Sequence, residues 1–280
     1  MANVGRRAML LAAGMFLATC GRCMAQEGAI PPDHHPWGRF PIGSWKTVRV
    51  ISETLDDQGR VANVSITETK TTLTALDAAS YTLRVETTVQ VAGKHFASQP
   101  QSVKHGYHGE TAGQAVTLRK TGDGELAIDG KTIPCELRQA VIEAEGIKRI
   151  SVTHYSSEVP PYQLRRETTT EGGPEEQRVS TLTEVISLGL PQRVIDEVRL
   201  AAYVKTTRKQ TTGSKVTMEV YCEDVPGGVV AHAARETDAA GRTIRRSTLE
   251  LLDYAIGGYP PNTEPAVRRR FHRRAARRAD

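Results

Sequence analysis

The sequence predicts an all-β protein whose antiparallel meanders form a curved sheet, a half-barrel or a sandwich, with little helix. Threonine and other β-branched residues are abundant. Polar residues alternate with apolar ones at a period of two, as in Lys46–Ile51, Val61–Thr72 and Tyr81–Val91. Turn signals separate these runs at intervals of about 10–14 residues, the spacing of short strands joined by tight turns. Long helical periodicity is nearly absent.

The turn signals divide the chain into its expected strands. They are Asp56–Gly59, Asp77–Ser80, Gly122–Gly124, Asp129–Gly130 and Thr212–Gly213. Between Leu188 and Leu200, with Pro191 near the start, we expect one short helix or a loop.

The first 25 residues predict a secretory signal peptide. Arg6 and Arg7 precede an apolar run, residues 8–18, that is too short to span a bilayer. A small-x-small site ends at Ala25, so we expect cleavage before Gln26. The alternatives are a lipoprotein signal ending before Cys20 and a disordered N-terminus. Export would place the protein in the periplasm or the outer cell envelope.

Charge is concentrated at the two ends of the chain. The 280 residues are 39% hydrophobic and 25% charged, which excludes a polytopic membrane protein, a disordered chain and a disulfide miniprotein. The net charge is +5, of which the leader contributes +3 and the Arg-rich tail, residues 258–280, contributes +5, leaving −3 for residues 26–257. We therefore expect no nucleic-acid partner; a flexible tail would instead bind an anionic envelope surface.

The body divides into a linker and two β-regions. Residues 26–43, rich in Pro, Gly and His, are predicted to be a linker that docks through Trp37 and Phe40. Residues 44–124 form an N-terminal meander region, and residues 125–257 form a duplicated one with units near 133–188 and 195–254.

The duplication is predicted from matching segments 66 residues apart. Tyr155-Ser-Ser-Glu-Val-Pro aligns with Tyr221-Cys-Glu-Asp-Val-Pro. Proline cannot donate to a strand ladder and favours extended geometry before it, so the Val-Pro step can end one strand and start the next. Tyr155, Tyr162 and Tyr221 are either core aromatics of the repeat or residues that stack on a ligand.

No catalytic motif is present, so we expect a non-enzymatic protein without a cofactor. Neither GxSxG nor HExxH occurs. We expect His105, His108 and Glu110 to lie in a solvated loop and not to bind a metal ion, although residues of these types in a bend could supply two or three metal ligands. Cys135 and Cys222 either form a disulfide in an oxidising compartment or remain buried thiols.

The exported, Thr-rich meanders with a Tyr-x-x-(Glu/Asp)-Val-Pro step resemble the periplasmic LolA/LolB lipoprotein carriers, over residues 125–255. The resemblance implies a curved antiparallel sheet that binds an acyl chain, although the helical lid of that family is not evident. We expect an exported, non-catalytic protein that binds an apolar or cell-envelope ligand, such as a lipid, on a concave sheet. The alternatives are a structural or protein-interaction module anchored by the basic tail and, third, an envelope hydrolase.

Overall fold

A computed structural model describes residues 28–111, 114–175 and 178–257. The predicted signal peptide, its cleavage site at Ala25 and Gln26, the lipidation candidate Cys20 and the Arg-rich tail lie outside the described residues.

The all-β prediction is confirmed. In the described residues the helical structure is limited to 3-10 turns, at Pro32–His34 and at Glu175. Fourteen strands follow: β1 Trp45–Leu55, β2 Val61–Leu76, β3 Ser80–Val91, β4 Lys94–Ala97, β5 Gln101–Gly106, β6 Ala115–Ile128, β7 Lys131–Ala144, β8 Ile147–Tyr155, β9 Gln163–Glu171, β10 Val179–Val194, β11 Glu197–Gln210, β12 Gly213–Tyr221, β13 Val229–Asp238 and β14 Thr243–Ala255.

All strands belong to one antiparallel sheet. Its order is β4-β3-β2-β1-β14-β13-β12-β11-β10-β9-β8-β7-β6, with β5 pairing β3 next to β4. Hairpins join most neighbours, while β14 returns to pair with β1. The sheet is not closed, because β6 forms one edge and β4 with β5 the other. The predicted boundary at residue 124 falls within β6.

The sheet is strongly curved. Arg166 of β9 donates from Nη2 to the carbonyl of His108, just after β5, at 3.0 Å. In the strand order, β9 lies eight steps from β3, the partner of β5. At about 4.8 Å per step these strands would lie about 38 Å apart in a flat sheet. The sheet therefore bends until its two halves face each other.

Most predicted turns lie between strands, but Gly122–Gly124 does not. These residues lie inside β6, where the pairing with β7 shifts register between Lys120 and Gly122. Glycine inside a strand often marks such a bulge, so the turn prediction there was wrong.

The helix or loop expected at Leu188–Leu200 is also wrong. β10 continues to Val194 and forms a hairpin with β11. Strand β9 pairs only with Ser180–Glu184, so among the described strands the second half of β10 pairs with β11 alone. Pro191 is tolerated there because the edge of a strand needs no N–H donor on its free side.

The two Val-Pro turns share backbone hydrogen bonds at the 66-residue offset. Ser156 N donates to Tyr162 O and Cys222 N donates to Gly228 O, both at 2.8 Å. Each following strand pairs with its predecessor through a register shift next to Tyr155 or Tyr221. Both tyrosines are buried, which places them in the core at equivalent strand ends.

Candidate functional site

Residues 28–44 cross one face of the sheet, which we call the inner face. Trp37 and Phe40 are buried against Leu73 of β2 and Leu83 of β3, so the segment docks as predicted. At its other end, the carbonyl of Ala29 accepts a hydrogen bond from Arg138 of β7 at 2.6 Å. The segment therefore covers one end of the inner face, from β7 to β3.

Two of the candidate tyrosines contact this segment. The His34 ring stacks on the Tyr162 ring at 3.9 Å between centroids, and His34 Nδ1 hydrogen-bonds the Tyr155 hydroxyl. The Arg138 guanidinium lies 3.6 Å above the Tyr155 ring. Tyr155 and Tyr162 thus hold the chain's own N-terminal segment in place.

Tyr221 belongs to a separate core cluster. It packs with Ile128, Leu164 and Val185 among others, and burial raises its pKa. It also borders a hollow of about 240 Å³ between the Val159–Pro160 turn and β10–β11. The structure does not bring the three tyrosines together into one stacking platform.

One of the histidine candidates, His105, belongs to an aromatic cluster with His35. His105 stacks on Tyr81 with centroids 5.4 Å apart, and His35 packs on Tyr81 and Tyr107. Burial and the neighbouring His108 and His105 lower the pKa of His35 to about 4. Its Nδ1 accepts hydrogen bonds from the backbone N–H groups of Trp37 and Gly38.

The structure does not bring His105, His108 and Glu110 together as ligands of one metal ion. Glu110 folds back so that its carboxylate accepts from the His108 N–H at 2.9 Å, while the ring of His105 lies on Tyr81. Within the described ranges, no three His, Cys, Asp or Glu side chains are placed to hold a metal ion. The spacing in the sequence could not show that the local turn uses the carboxylate itself.

Of the two alternatives for Cys135 and Cys222, the structure has two buried free thiols. Cys135 lies in the cluster around Leu164, and Cys222 lies with Val194, Val225 and Val230. Burial raises the pKa of both thiols, which makes them unreactive core residues.

A partly buried lysine lies at the covered end of the inner face. Lys46 Nζ donates to the carbonyl of Val229 at 2.9 Å and lies 5.9 Å from the centre of the Trp37 ring. Burial lowers its pKa to about 8, against the opposing effect of Glu219.

The other end of the inner face is an open groove that sequence reasoning missed. Tyr155, Thr153, Ser151 and Arg149 alternate along β8 and so share the face that carries the N-terminal segment. The groove extends from there across β9–β12 and has a volume of about 580 Å³. Its lining is rich in threonine: Thr168, Thr170, Thr181, Thr183, Thr206 and Thr217.

Hydroxyl groups in the groove form hydrogen bonds with one another across neighbouring strands. Ser151 Oγ and Thr168 Oγ1 are 2.9 Å apart, and Thr183 Oγ1 and Thr206 Oγ1 are 3.1 Å apart. Four cationic side chains, Arg149, Arg166, Arg208 and Lys215, complete the lining. Alternating threonines in the sequence predict polar strand faces, but only the register of the sheet shows that four strands, β9–β12, combine them in one groove.

Comparisons with known proteins give weak structural likenesses. No family model matches the chain, and no curated protein matches its sequence. A Bacteroides fragilis protein with a YmcC-like fold, inferred to be exported, aligns with 76% of this chain and 97% of its own, at 8% identity and a TM-score of 0.31. An inferred lipoprotein from Parabacteroides distasonis aligns with 77% and 97%, at 11% identity and a TM-score of 0.33.

The described residues contain no helix of the length and apolar character needed to cross a membrane.

Proposed function

We propose that this is an exported, non-catalytic binding protein whose open groove holds a hydroxyl-rich ligand of the cell envelope. The observation that carries the proposal is the lining of the groove, where threonines from β9–β12 surround a space of about 580 Å³. A hydroxyl both donates and accepts hydrogen bonds, so a row of threonines complements the hydroxyls of a glycan.

The lining favours a polar ligand over an acyl chain. A site for a lipid tail is lined mainly by apolar side chains, because burial of apolar surface supplies the binding energy. Among the side chains that line the open groove, Val179 is the aliphatic one, and Thr181 and Thr183 of the same strand lie beside it. Among the ligands expected from the sequence, we therefore favour a polar envelope ligand over the lipid implied by the LolA/LolB resemblance.

Native mass spectrometry of the mature protein, purified from the envelope of its host, tests this function. We expect a co-purifying mass that is lost on denaturation. Thr206→Trp would fill the groove and abolish the extra mass. Thr207→Trp is the matched control, because adjacent residues of a strand point to opposite faces. A bare polypeptide from the unmodified protein, or retention of the extra mass by the Thr206→Trp variant, would refute the proposal.

A second candidate function, a protein-interaction module, rests on the hairpin of β10 and β11. Val198 and Leu200 share one face of this hairpin and are 73% and 68% exposed, and Ile195 at its tip is exposed as well. Clustered exposed apolar side chains are common at protein interfaces. The same spectra would favour this function if the protein co-purified with a second polypeptide that Leu200→Ser releases.

A further inference from the structure

Two arginines of the open groove converge on one loop. Arg149 of β8 and Arg166 of β9 both place Nη2 next to Gly109, at 4.0 and 3.7 Å from the position that a Cβ would occupy there. Arg149 donates to the carbonyl of Gly109. Arg166 donates to the carbonyl of His108 and, at 3.1 Å, to Ser151 Oγ. These acceptors are neutral, so they orient the two guanidinium groups without balancing their charge.

No carboxylate oxygen of the described residues lies within salt-bridge distance of either arginine. Several other arginines of the sheet are paired with acids, as Arg138 is with Glu136 and Arg165 is with Glu167. The acid that faces Arg166 is Glu110, whose carboxylate accepts from the N–H of His108. The Nε atoms of Arg149 and Arg166 are buried and have no hydrogen-bond partner.

An uncompensated charge at a partly buried position is costly. Burial and the charge of Arg149 together lower the pKa of Arg166. Arg208 and Lys215 add positive charge to the lining of the same groove, which contains no acidic side chain. Desolvated guanidinium groups bind oxyanions strongly, because their planar donors match the oxygens of phosphate, sulfate and carboxylate.

We infer that Arg149 and Arg166 form a subsite for an oxyanion group on the ligand held by the open groove. The inference deepens the proposed function and rests on it: the hydroxyl-rich ligand carries phosphate, sulfate or carboxylate. Arg208 and Lys215 would attract the same ligand from the far side of the groove. Recognition would combine threonine hydroxyls along the ligand with two arginines at one charged substituent.

Titration of the mature protein with inorganic phosphate, sulfate and acetate, followed by calorimetry or by amide NMR shifts, tests the subsite. We expect saturable binding of at least one of these anions at millimolar concentrations. The anion that binds best would identify the substituent. Arg166→Gln and Arg149→Gln should each weaken binding at least tenfold. Arg165→Gln removes the same charge from the opposite face of β9 and should change binding less than twofold.

Folding of the variants is checked by their melting temperatures. Arg149→Gln loses one hydrogen bond to an exposed loop, so its effect on binding remains interpretable if Arg166→Gln fails to fold. Saturable binding of none of the three anions, or an equal loss in Arg165→Gln, would overturn the inference. If no anion binds while an envelope ligand still co-purifies, the subsite is wrong and the proposed function stands. If an anion binds but no envelope ligand co-purifies, the subsite stands and the proposed function is wrong.

Discussion

The two ends of the inner face meet along β8 and differ in almost every physical property. Along β8, Tyr155 is buried under the N-terminal segment, while Arg149, three alternations away, lines the open groove. The covered end contains Trp37, Phe40, Leu73 and Leu83 in close packing. The open end contains hydroxyls and cations.

From this difference we infer that the covered end stabilises the fold and that the open end binds the ligand. Residues 28–44 supply large apolar side chains that the sheet lacks, so the covered end needs no second sheet to bury its surface. The open end has few apolar groups to bury and can remain exposed. We therefore expect changes at the covered end to alter the free energy of unfolding and changes at the open end to alter binding.

Trp37→Ala should have the largest effect on stability. The side chain is buried against Leu73 and the turn at Gly227, and its removal should lower the free energy of unfolding by about 3–5 kcal/mol. Urea denaturation measures this value. Trp45→Ala is the control, because Trp45 is only partly buried, and we expect less than half the loss. Equal losses would show that the N-terminal segment does not stabilise the sheet.

Acidification should weaken the covered end through His35. Its pKa is about 4 in the folded protein against 6.5 for an unperturbed histidine, so the unfolded chain binds a proton first as the pH falls. The contribution to stability is complete above pH 6.5 and is lost between pH 6.5 and about 4, by about 3 kcal/mol in total.

Urea denaturation at several pH values would show this loss. His35→Asn retains an acceptor for the N–H groups of Trp37 and Gly38 without titrating, so its stability should fall less steeply over the same range. Identical slopes for the two proteins would rule out His35 as the source.

Gly228→Ala tests the packing at the second Val-Pro turn. Gly228 has φ of +70°, and an added Cβ would lie 1.9 Å from the Tyr221 ring. Gly59 has φ of +74° with nothing within 4 Å. Both substitutions incur backbone strain of about 1–2 kcal/mol, and Gly228→Ala adds a steric term of about 1 kcal/mol or more. Thermal melting of the two variants compares them; equal losses would mean that Tyr221 moves aside freely.

Treatment with a reducing agent should have the smallest effect on stability. Because Cys135 and Cys222 are buried thiols in different clusters, a reducing agent should leave the melting temperature unchanged. Thiol titration should give no reaction with these two residues in the folded protein and reaction with both after denaturation. A drop in melting temperature on reduction would restore the disulfide alternative.

Local patterns predicted the strands well and the candidate site poorly. Strands β1–β3 could be predicted because each has its own alternation of polar and apolar residues and its own turn residues at the ends. These patterns fail at Gly122 and Pro191, where a bulge and a strand edge tolerate residues that usually end a strand. Arg149 and Arg166 are separated by a turn in the sequence, and only the curvature of the sheet brings both to the loop after β5.

Hydrogen–deuterium exchange tests most directly the claim that one end of the inner face is structural and the other binds. The mature protein is compared with and without the soluble polysaccharide fraction of its host's envelope. Peptides from β9–β12 should exchange more slowly with the polysaccharide present, while residues 28–44 and the β10–β11 hairpin tip should be unchanged. Protection confined to residues 28–44 or to the hairpin tip, with none in β9–β12, would contradict the account.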